Sequence, residues 1–335
     1  MTSPKALEKH HRATELEHSP EDIRWATPDV VAQYRAKRLH SKTIVDVGCG
    51  VGFQTFAFAQ HCGHVYALEL DKEKIEKAKR NAAVLGLKNI TFIHGDALSP
   101  EVIKQLKNVD VVFCDPQRLP EETERKTATI QPDINQLLTL YGKLTKRIAI
   151  EFPPQIKEIP FDCEREYLSW QGKLNRLTLY FGSLKRSDRS VVVLPSESVI
   201  NNDGDAKLKE TTAVGEFIYD VDPAAIKADL LAEVSSSTKT ALLLKGKTTL
   251  FTSTKLVESP FFVHRFSVLT TTEFDPKIMI DVLKELHVGQ VVLRYSVDPQ
   301  DYWKIRTTFE KQLRGAKVVH LFKVGENAVI AEELG

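Results

Sequence analysis

From Thr43 onward, short apolar runs alternate with amphipathic stretches, and this alternation restricts the possible folds more than any other feature of the chain. TIVDVG, HVYALEL, ITFIHGD, VDVVFCD and RIAIEF each have the length and β-branched content of a buried parallel strand. Between them, FQTFAFAQHC, KEKIEKAKRNAAVLG, PEVIKQLKN and INQLLTLYG read as helices, with Gly86 and Gly142 where left-handed C-caps are expected. Parallel strands need a long crossover, so strict alternation predicts a doubly wound α/β sheet. After the fifth strand, EYLSWQGKLNRLTLYFGSL carries two β-prone runs flanking Gln171-Gly172-Lys173, which predicts an antiparallel hairpin at the sheet edge.

The flanking regions read differently. Residues from about Pro4 to Leu39 are expected to be helical and solvated, with Thr27-Pro28-Asp29 as a helix start. His10, His11 and His18 invite a metal reading, but Lys and Glu surround them, so no metal is expected there. Near Ser196 the polar run SESVINNDGDAKLKE reads as a linker or long loop. Beyond it comes a smaller α+β unit. PAAIKADLLAEV, PKIMIDVLKELH and PQDYWKIRTTFEKQL are its helices, the last two with Pro in the first turn, and RFSVLTTTEF, QVVLRYSV and KVVHLFKV are its strands. The expected division is a helical segment 1–40, a central domain 41–195 and a C-terminal domain 196–335.

A chain of 335 residues fits two domains, and a net charge of +1 announces no polyanionic partner by itself. Cys49, Cys62, Cys114 and Cys163 form no CxxC pair, which fits a reducing compartment rather than a zinc ribbon or disulfide framework. MTSPKALEKHHRATELEH has no apolar core of a secretory signal, and no stretch is long enough to span a bilayer. A cytoplasmic location without membrane association is expected.

The sharpest motif is Asp46-Val47-Gly48-Cys49-Gly50-Val51-Gly52, directly after one strand and before a helix. Its glycines allow a tight turn and close approach of a ligand. A dinucleotide loop would place its third Gly at 53, where Phe53 stands, and Gly52 comes one residue early. Three further strand ends carry polar residues: Glu69-Leu70, placed to accept from ribose hydroxyls, Asp96-Ala97, placed to accept from an adenine amino group, and Asp115-Pro116-Gln117-Arg118. Four strand ends, each with a suitable group in order, point to a nucleoside-cofactor site.

Through DVGCGVG, ALELD, NAAVLGLKNITFIHGDA and CDPQR, the chain resembles class I S-adenosylmethionine-dependent methyltransferases, whose sheet is Rossmann-like and ends in an antiparallel hairpin. The resemblance implies S-adenosylmethionine as cofactor, bound by Asp46, Gly48, Gly50, Gly52, Glu69, Leu70, Asp96 and Ala97. Arg80 to Asp96 is close to RNA-modifying members. IAIEFPPQIKEIP, EREYLSWQGKLNRLTLYFGSL, FIYDVDPAAIKADLLAEV and ESPFFVHRFSVL resemble a group with a THUMP-like C-terminal domain, which implies tRNA or rRNA as substrate.

Amino-group methyltransferases end their fourth strand in (D/N)PP(Y/F). Asp115 and Pro116 match this, while Gln117 and Arg118 depart from it toward the DPPR of 5-methyluridine enzymes. Those enzymes need a cysteine after the fifth strand, where this chain has IAIEFPPQI, and Cys163 is expected to be structural. Direct transfer to a base nitrogen is therefore expected, with Asp115, Pro116 and Arg118 at the catalytic position. Arg118 or Arg125 is a candidate for a phosphate or base edge, and pairing of Arg118 with Glu121 or Glu151 is the alternative. Between Lys284 and Lys323 eight basic residues face four acidic ones, with Tyr302 and Trp303 either stacking on bases or packed in a core. Two other readings stay open: a methyltransferase acting on protein or a small molecule, and a non-catalytic RNA-binding protein.

Overall fold

The computed structural model describes residues 7, 9–118, 130–156, 158–246 and 248–335. The chain divides into two compact units, Met1–Val199 and Ile200–Gly335. The first is built on a nine-stranded sheet whose strands are β1 (Thr43–Val47), β2 (His64–Glu69), β3 (Ile90–His94), β4 (Val111–Cys114), β7 (Ile148–Phe152), β8 (Glu164–Trp170), β9 (Lys173–Tyr180), β10 (Arg189–Leu194) and β11 (Ser198–Asn201). A separate two-stranded ladder joins β5 (Gln117–Arg118) to β6 (Ile130–Gln131). The order across the large sheet is β11-β10-β8-β9-β7-β4-β1-β2-β3. Strands β3, β2, β1, β4 and β7 are mutually parallel, with the reversal of order between β1 and β4. In such sheets the crevice at that reversal, outside the strand C-termini, is where ligands bind.

The central strands are covered on both faces, which is why they read as continuous apolar runs. Ile44, Val65, Val111, Phe113 and Ala149 pack against Ala57 and Phe58 of helix Phe53–His61 and against Ala32, Ala36 and Leu39. Fully burying a Leu or Phe side chain stabilises by about 1.5–3 kcal/mol, so these contacts carry the unit. The expected hairpin is present. Strand β9 lies antiparallel to both β7 and β8, and its turn residues Gln171 (φ 53°) and Gly172 (φ 66°) both adopt positive φ, the signature of a type I′ turn.

Several expectations are corrected. Among the described residues, the N-terminal segment is not one continuous solvated helix: Leu7 and Lys9 are helical, the short helices Pro20–Trp25 and Asp29–Arg38 follow, and the latter contributes Ala32, Ala36 and the fully buried Arg35 to the core. Its charged residues are in place because they meet buried carboxylates. Arg38 pairs with Glu164 (2.8 Å) and with Glu166 on β8, stacks its guanidinium 3.6 Å from the Tyr180 ring centroid, and lies beside Tyr34, whose hydroxyl donates to Glu166 (2.7 Å). Helix Asp29–Arg38 starts one residue later than expected, with Pro28 at its N-cap. Gly86 is left-handed (φ 70°), but Gly142 closes its helix in the right-handed region (φ −62°). The polar run after Ser196 includes strand β11 rather than being loop throughout.

The second unit holds a seven-stranded sheet of β12 (Phe217–Val221), β13 (Ala241–Leu244), β14 (Leu250–Ser253), β15 (Phe262–Glu273), β16 (Val288–Leu293), β17 (Lys317–Val324) and β18 (Asn327–Leu334). Its order is β13-β14-β12-β15-β18-β17-β16, with only β16 and β17 parallel among its pairs. The α+β class is as expected, with four strands beyond the three anticipated. PAAIKADLLAEV is split into Pro223–Lys227 and Leu231–Thr238 by Asp229 at φ 56°. Pro276 opens helix Pro276–Glu285, whereas Pro299 lies outside helix Tyr302–Glu310. Phe309, Met279, Ile280 and Leu283 from these helices pack on Val291, Val319 and Ile330. No helix among the described residues is long and apolar enough to cross a membrane.

Candidate active site

The glycine loop turns between β1 and helix Phe53–His61, with Gly48, Gly50 and Gly52 all at positive φ (81°, 56° and 102°). Their side-chain sites differ. A Cβ on Gly52 would lie 2.3 Å from the Phe56 ring, whereas a Cβ on Gly50 would meet nothing within 4 Å. Gly52 is thus required for packing, and Gly50 faces open space where a ligand can approach the backbone. The amides of Gly48 and Cys49 both donate to Leu68 O at 2.9 Å, which ties the loop to the end of β2. Asp46 is 1% exposed and accepts from Thr55 Oγ1 (2.6 Å). Burial pushes its carboxyl up to about 7. It supports the loop from behind and does not present its carboxylate to solvent.

Glu69, at the C-terminal end of β2, accepts from Gly50 N at 2.8 Å through Oε2 and from Asp71 N at 2.9 Å through Oε1. Leu70, next along, is 69% exposed. Asp96 is exposed past β3 and accepts from Leu98 N (2.9 Å), while Ala97 O accepts from the buried Tyr141 hydroxyl (2.9 Å). The four expected strand ends therefore come to one edge of the sheet. Close approach joins two of them directly: Asp115 N donates to Val47 O, and a Cβ on Gly48 would stand 3.4 Å from Asp115 O.

Asp115 and Pro116 open into a cavity of about 190 Å³ also lined by Glu151, Pro153, Asn175 and Arg176. Burial and, next, the neighbouring Glu151 carboxylate raise the Asp115 carboxyl to about 7, against the opposing pull of Arg176 and Arg35. Glu151 lies between two guanidiniums. It pairs with Arg35 from the N-terminal helix and with Arg176 Nε on β9 at 2.6 Å. Arg35 also donates to Gln54 Oε1 (2.7 Å), which links this group to the helix after the glycine loop. Glu151 is thus engaged by these two arginines. The side chain of Arg118, and residues Glu121 and Arg125, lie outside the described residues.

Sequence reasoning missed Arg35, Asn175 and Arg176, because nothing in a solvated-looking helix marks Arg35 as the partner of Glu151, and nothing in an edge hairpin marks Asn175 and Arg176 as lining a cavity. It also missed Asn81, although Asn81 stands in a stretch that drew attention. Its side chain donates to Val51 O (3.2 Å) and Glu17 O (3.0 Å) and accepts from Glu17 N (2.7 Å), so it joins the glycine loop to the N-terminal segment.

The histidine cluster is also placed differently from expectation. His10 is buried, stacks on His11 and lies 5.2 Å from Phe53, with His10 Nε2 3.3 Å from Asp29 Oδ1 and His11 paired to Asp29 Oδ2. His10 Nδ1 accepts from Arg12 N, which leaves the ring proton on Nε2, directed at Asp29. That polarity is a hydrogen-bonded pair's and runs against metal ligation at Nε2. Cys163 is buried, and its thiol is pushed up to about 11 by burial, as expected of a structural cysteine.

Comparison with known proteins agrees with this geometry. Residues 39–162 match a family model described as a methyltransferase domain. A relative in Mycobacterium tuberculosis, an uncharacterised S-adenosylmethionine-dependent methyltransferase, is 24% identical over 290 residues, covering 83% of this chain and 77% of the relative. The release factor glutamine methyltransferase of Bacillus cereus is 41% identical over 108 residues, 32% of this chain and 36% of that protein. An uncharacterised RNA methyltransferase of Halalkalibacterium halodurans is 40% identical over 80 residues, 23% and 18% of the two chains. In fold, a crystal structure from Porphyromonas gingivalis W83 assigned as a methyltransferase superposes with a TM-score of 0.78, covering 98% of this chain and 87% of that one at 18% identity. The chain carries a class I methyltransferase domain. It is an S-adenosylmethionine-dependent methyltransferase, with S-adenosylmethionine as cofactor.

Proposed function

We propose that this enzyme methylates a nitrogen of a nucleobase in RNA, tRNA or rRNA, by direct transfer. The observation that carries the reading is Asp115: a carboxyl titrating near 7, at the end of β4, beside the glycine loop and facing a polar cavity. The described cavity lining contains no thiol of the kind that covalent C5 methylation uses as its nucleophile.

The residues fit the cofactor. Gly50 leaves room for its approach, Gly48 and Gly52 shape the loop, and Asp46 holds the loop from behind through Thr55. Glu69 has lone pairs left that would accept from two ribose hydroxyls after its two backbone donors, the exposed Leu70 would give an apolar surface to the adenine, and Asp96 and Ala97 would hold its edge. The bound cofactor supplies an electrophilic methyl group; the chain orients the acceptor and manages its proton. Asp115, ionised above pH about 7, accepts the hydrogen bond of the acceptor N–H and keeps the nitrogen lone pair directed at the methyl. Pro116 fixes the backbone after it.

The second unit supports RNA as the partner. Trp303 is 66% exposed, contrary to a core role, with the Arg306 guanidinium 5.3 Å from its ring centroid and exposed Lys304, Lys311 and Arg314 nearby in sequence. An exposed aromatic among cations suits base stacking and phosphate contact, in keeping with the THUMP-like resemblance. Four free cysteines accord with a cytoplasmic setting. A second reading, methylation of a protein glutamine amide, is favoured by the likeness to the release factor enzyme.

The test is transfer of labelled methyl from S-adenosylmethionine into unmodified tRNA and rRNA, with total protein in parallel and Asp115→Ala as control. Label in one RNA species, lost in the variant, is the expected result. Label in protein alone would replace RNA with the glutamine reading.

A further inference from the structure

The edge hairpin does more than finish the sheet. Along β8 and β9 the partners run Tyr167 with Leu177 and Leu168 with Arg176, then Ser169 with Leu174. Asn175 has no partner in this ladder, so it is the extra residue of a β-bulge. A regular strand sends successive side chains to opposite faces. Here Leu174, Asn175 and Arg176 are consecutive and all three line the cavity that contains Asp115. The bulge is what turns Asn175 into it, a common use of bulges beside active sites.

Asn175 arrives with an unmet requirement. Its Oδ1 is buried and has no hydrogen-bond partner. Leaving a buried carbonyl unpaired is costly, and native structures keep such groups where a ligand completes them. Arg176 beside it is already paired with Glu151. The cavity lining includes the Asp115 carboxylate and the Asn175 amide as acceptors, beside the Glu151 carboxylate and the Gln155 amide, and its one lining cation, Arg176, is engaged by Glu151.

We infer that Asn175 is a specificity-determining residue that selects an acceptor edge rich in N–H groups: the exocyclic amino edge of adenine, cytosine or guanine, in preference to the carbonyl edge of uracil. The inference deepens the base-methylation reading and rests on it for the word nucleobase. The selection itself follows from acceptor placement. A site built to accept from N–H groups rejects an analogue that brings a carbonyl instead, because both acceptors then stay unpaired or repelled.

The experiment uses the full chain saturated with S-adenosylhomocysteine and measures binding of labelled octamers of adenylate, cytidylate and uridylate, and of a glutamine-containing peptide. Asn175→Leu and Asn175→Asp are compared with the parent, and the S-adenosylhomocysteine affinity of each confirms an intact cofactor site. Adenylate or cytidylate should bind roughly tenfold or more tightly than uridylate. That ratio should vanish in Asn175→Leu and survive in Asn175→Asp, which keeps an acceptor. Binding of the peptide alone, lost in Asn175→Leu, would uphold the N–H selection while removing RNA as the substrate. Equal binding of uridylate, a ratio unchanged in Asn175→Leu, or no binding of any probe would overturn the inference.

Discussion

The amide of Gly50 donates to Oε2 of Glu69 at 2.8 Å, so the glycine loop and the end of β2 are held as one rigid corner. Replacing Glu69 by Ala removes both a loop tether and the ribose acceptor. S-adenosylmethionine affinity should fall at least tenfold by isothermal titration, and Glu69→Gln should recover part of it through its remaining amide oxygen.

Gly50 and Gly52 should fail in different ways. At Gly52 an added Cβ meets the Phe56 ring at 2.3 Å, so Gly52→Ala should lower the unfolding midpoint as well as cofactor binding. At Gly50 the space is open, and Gly50→Ala should cost only about 1–2 kcal/mol of backbone strain while blocking cofactor approach. Calorimetric unfolding paired with cofactor titration separates the two. Equal thermal losses in both would show the open space at Gly50 to be unimportant.

The methyl-transfer rate should rise with pH through about 7 as Asp115 ionises. Arg176 opposes the raising of that carboxyl, so Arg176→Leu should move the ascending limb to higher pH. A profile measured for both enzymes with saturating cofactor decides the point, and an unmoved limb would separate Asp115 from the group that titrates.

Asp46 predicts a stability effect of defined sign. Its carboxyl is raised to about 7 in the folded chain from an unfolded value of 3.8. The folded state therefore holds its proton more tightly. That advantage is complete below the unfolded value and is lost as pH rises through 7. Asp46→Asn should lessen the fall in stability between pH 6 and 8.5 by about 1–1.5 kcal/mol, because only the last pH unit below the folded value falls inside that window. Denaturant titrations across that range give the slope directly.

Arg35 is the fifth target. It is 2% exposed and its partner Glu151 is also buried, so Arg35→Leu leaves a carboxylate with Arg176 alone. Losing one side of a buried pair typically costs about 3–5 kcal/mol. Urea unfolding should show a loss of that order.

What could be read in advance followed from short-range physics. The strand runs, the hairpin around Gln171-Gly172-Lys173 and the glycine loop each declare themselves within short stretches, because steric and periodic constraints act locally. Asp115 and Glu69 were legible because strand ends in this topology face the crevice. Arg35 and Asn175 were not. Arg35 sits close to Lys37, which is exposed on the same helix, and its meeting with Glu151, 116 positions away, takes it into the core. Asn175 reaches its cavity through a one-residue bulge, which shifts register without leaving any pattern in the sequence. In the second unit, strands such as ALLL and LFTS are too short to show a period at all.

The Arg38 clasp on Glu164 and Glu166 sets the true extent of the catalytic module. The family model spans 39–162, starting just after that arginine and ending just before both glutamates. A polypeptide trimmed to those limits would lack the cation and the carboxylates together, along with β9, which brings Asn175 and Arg176 to the Asp115 cavity. A longer one, 39–199, would bury two negative charges around an empty guanidinium site. The shared signature is therefore smaller than the part of the chain that must be inherited, or transplanted, as a single piece.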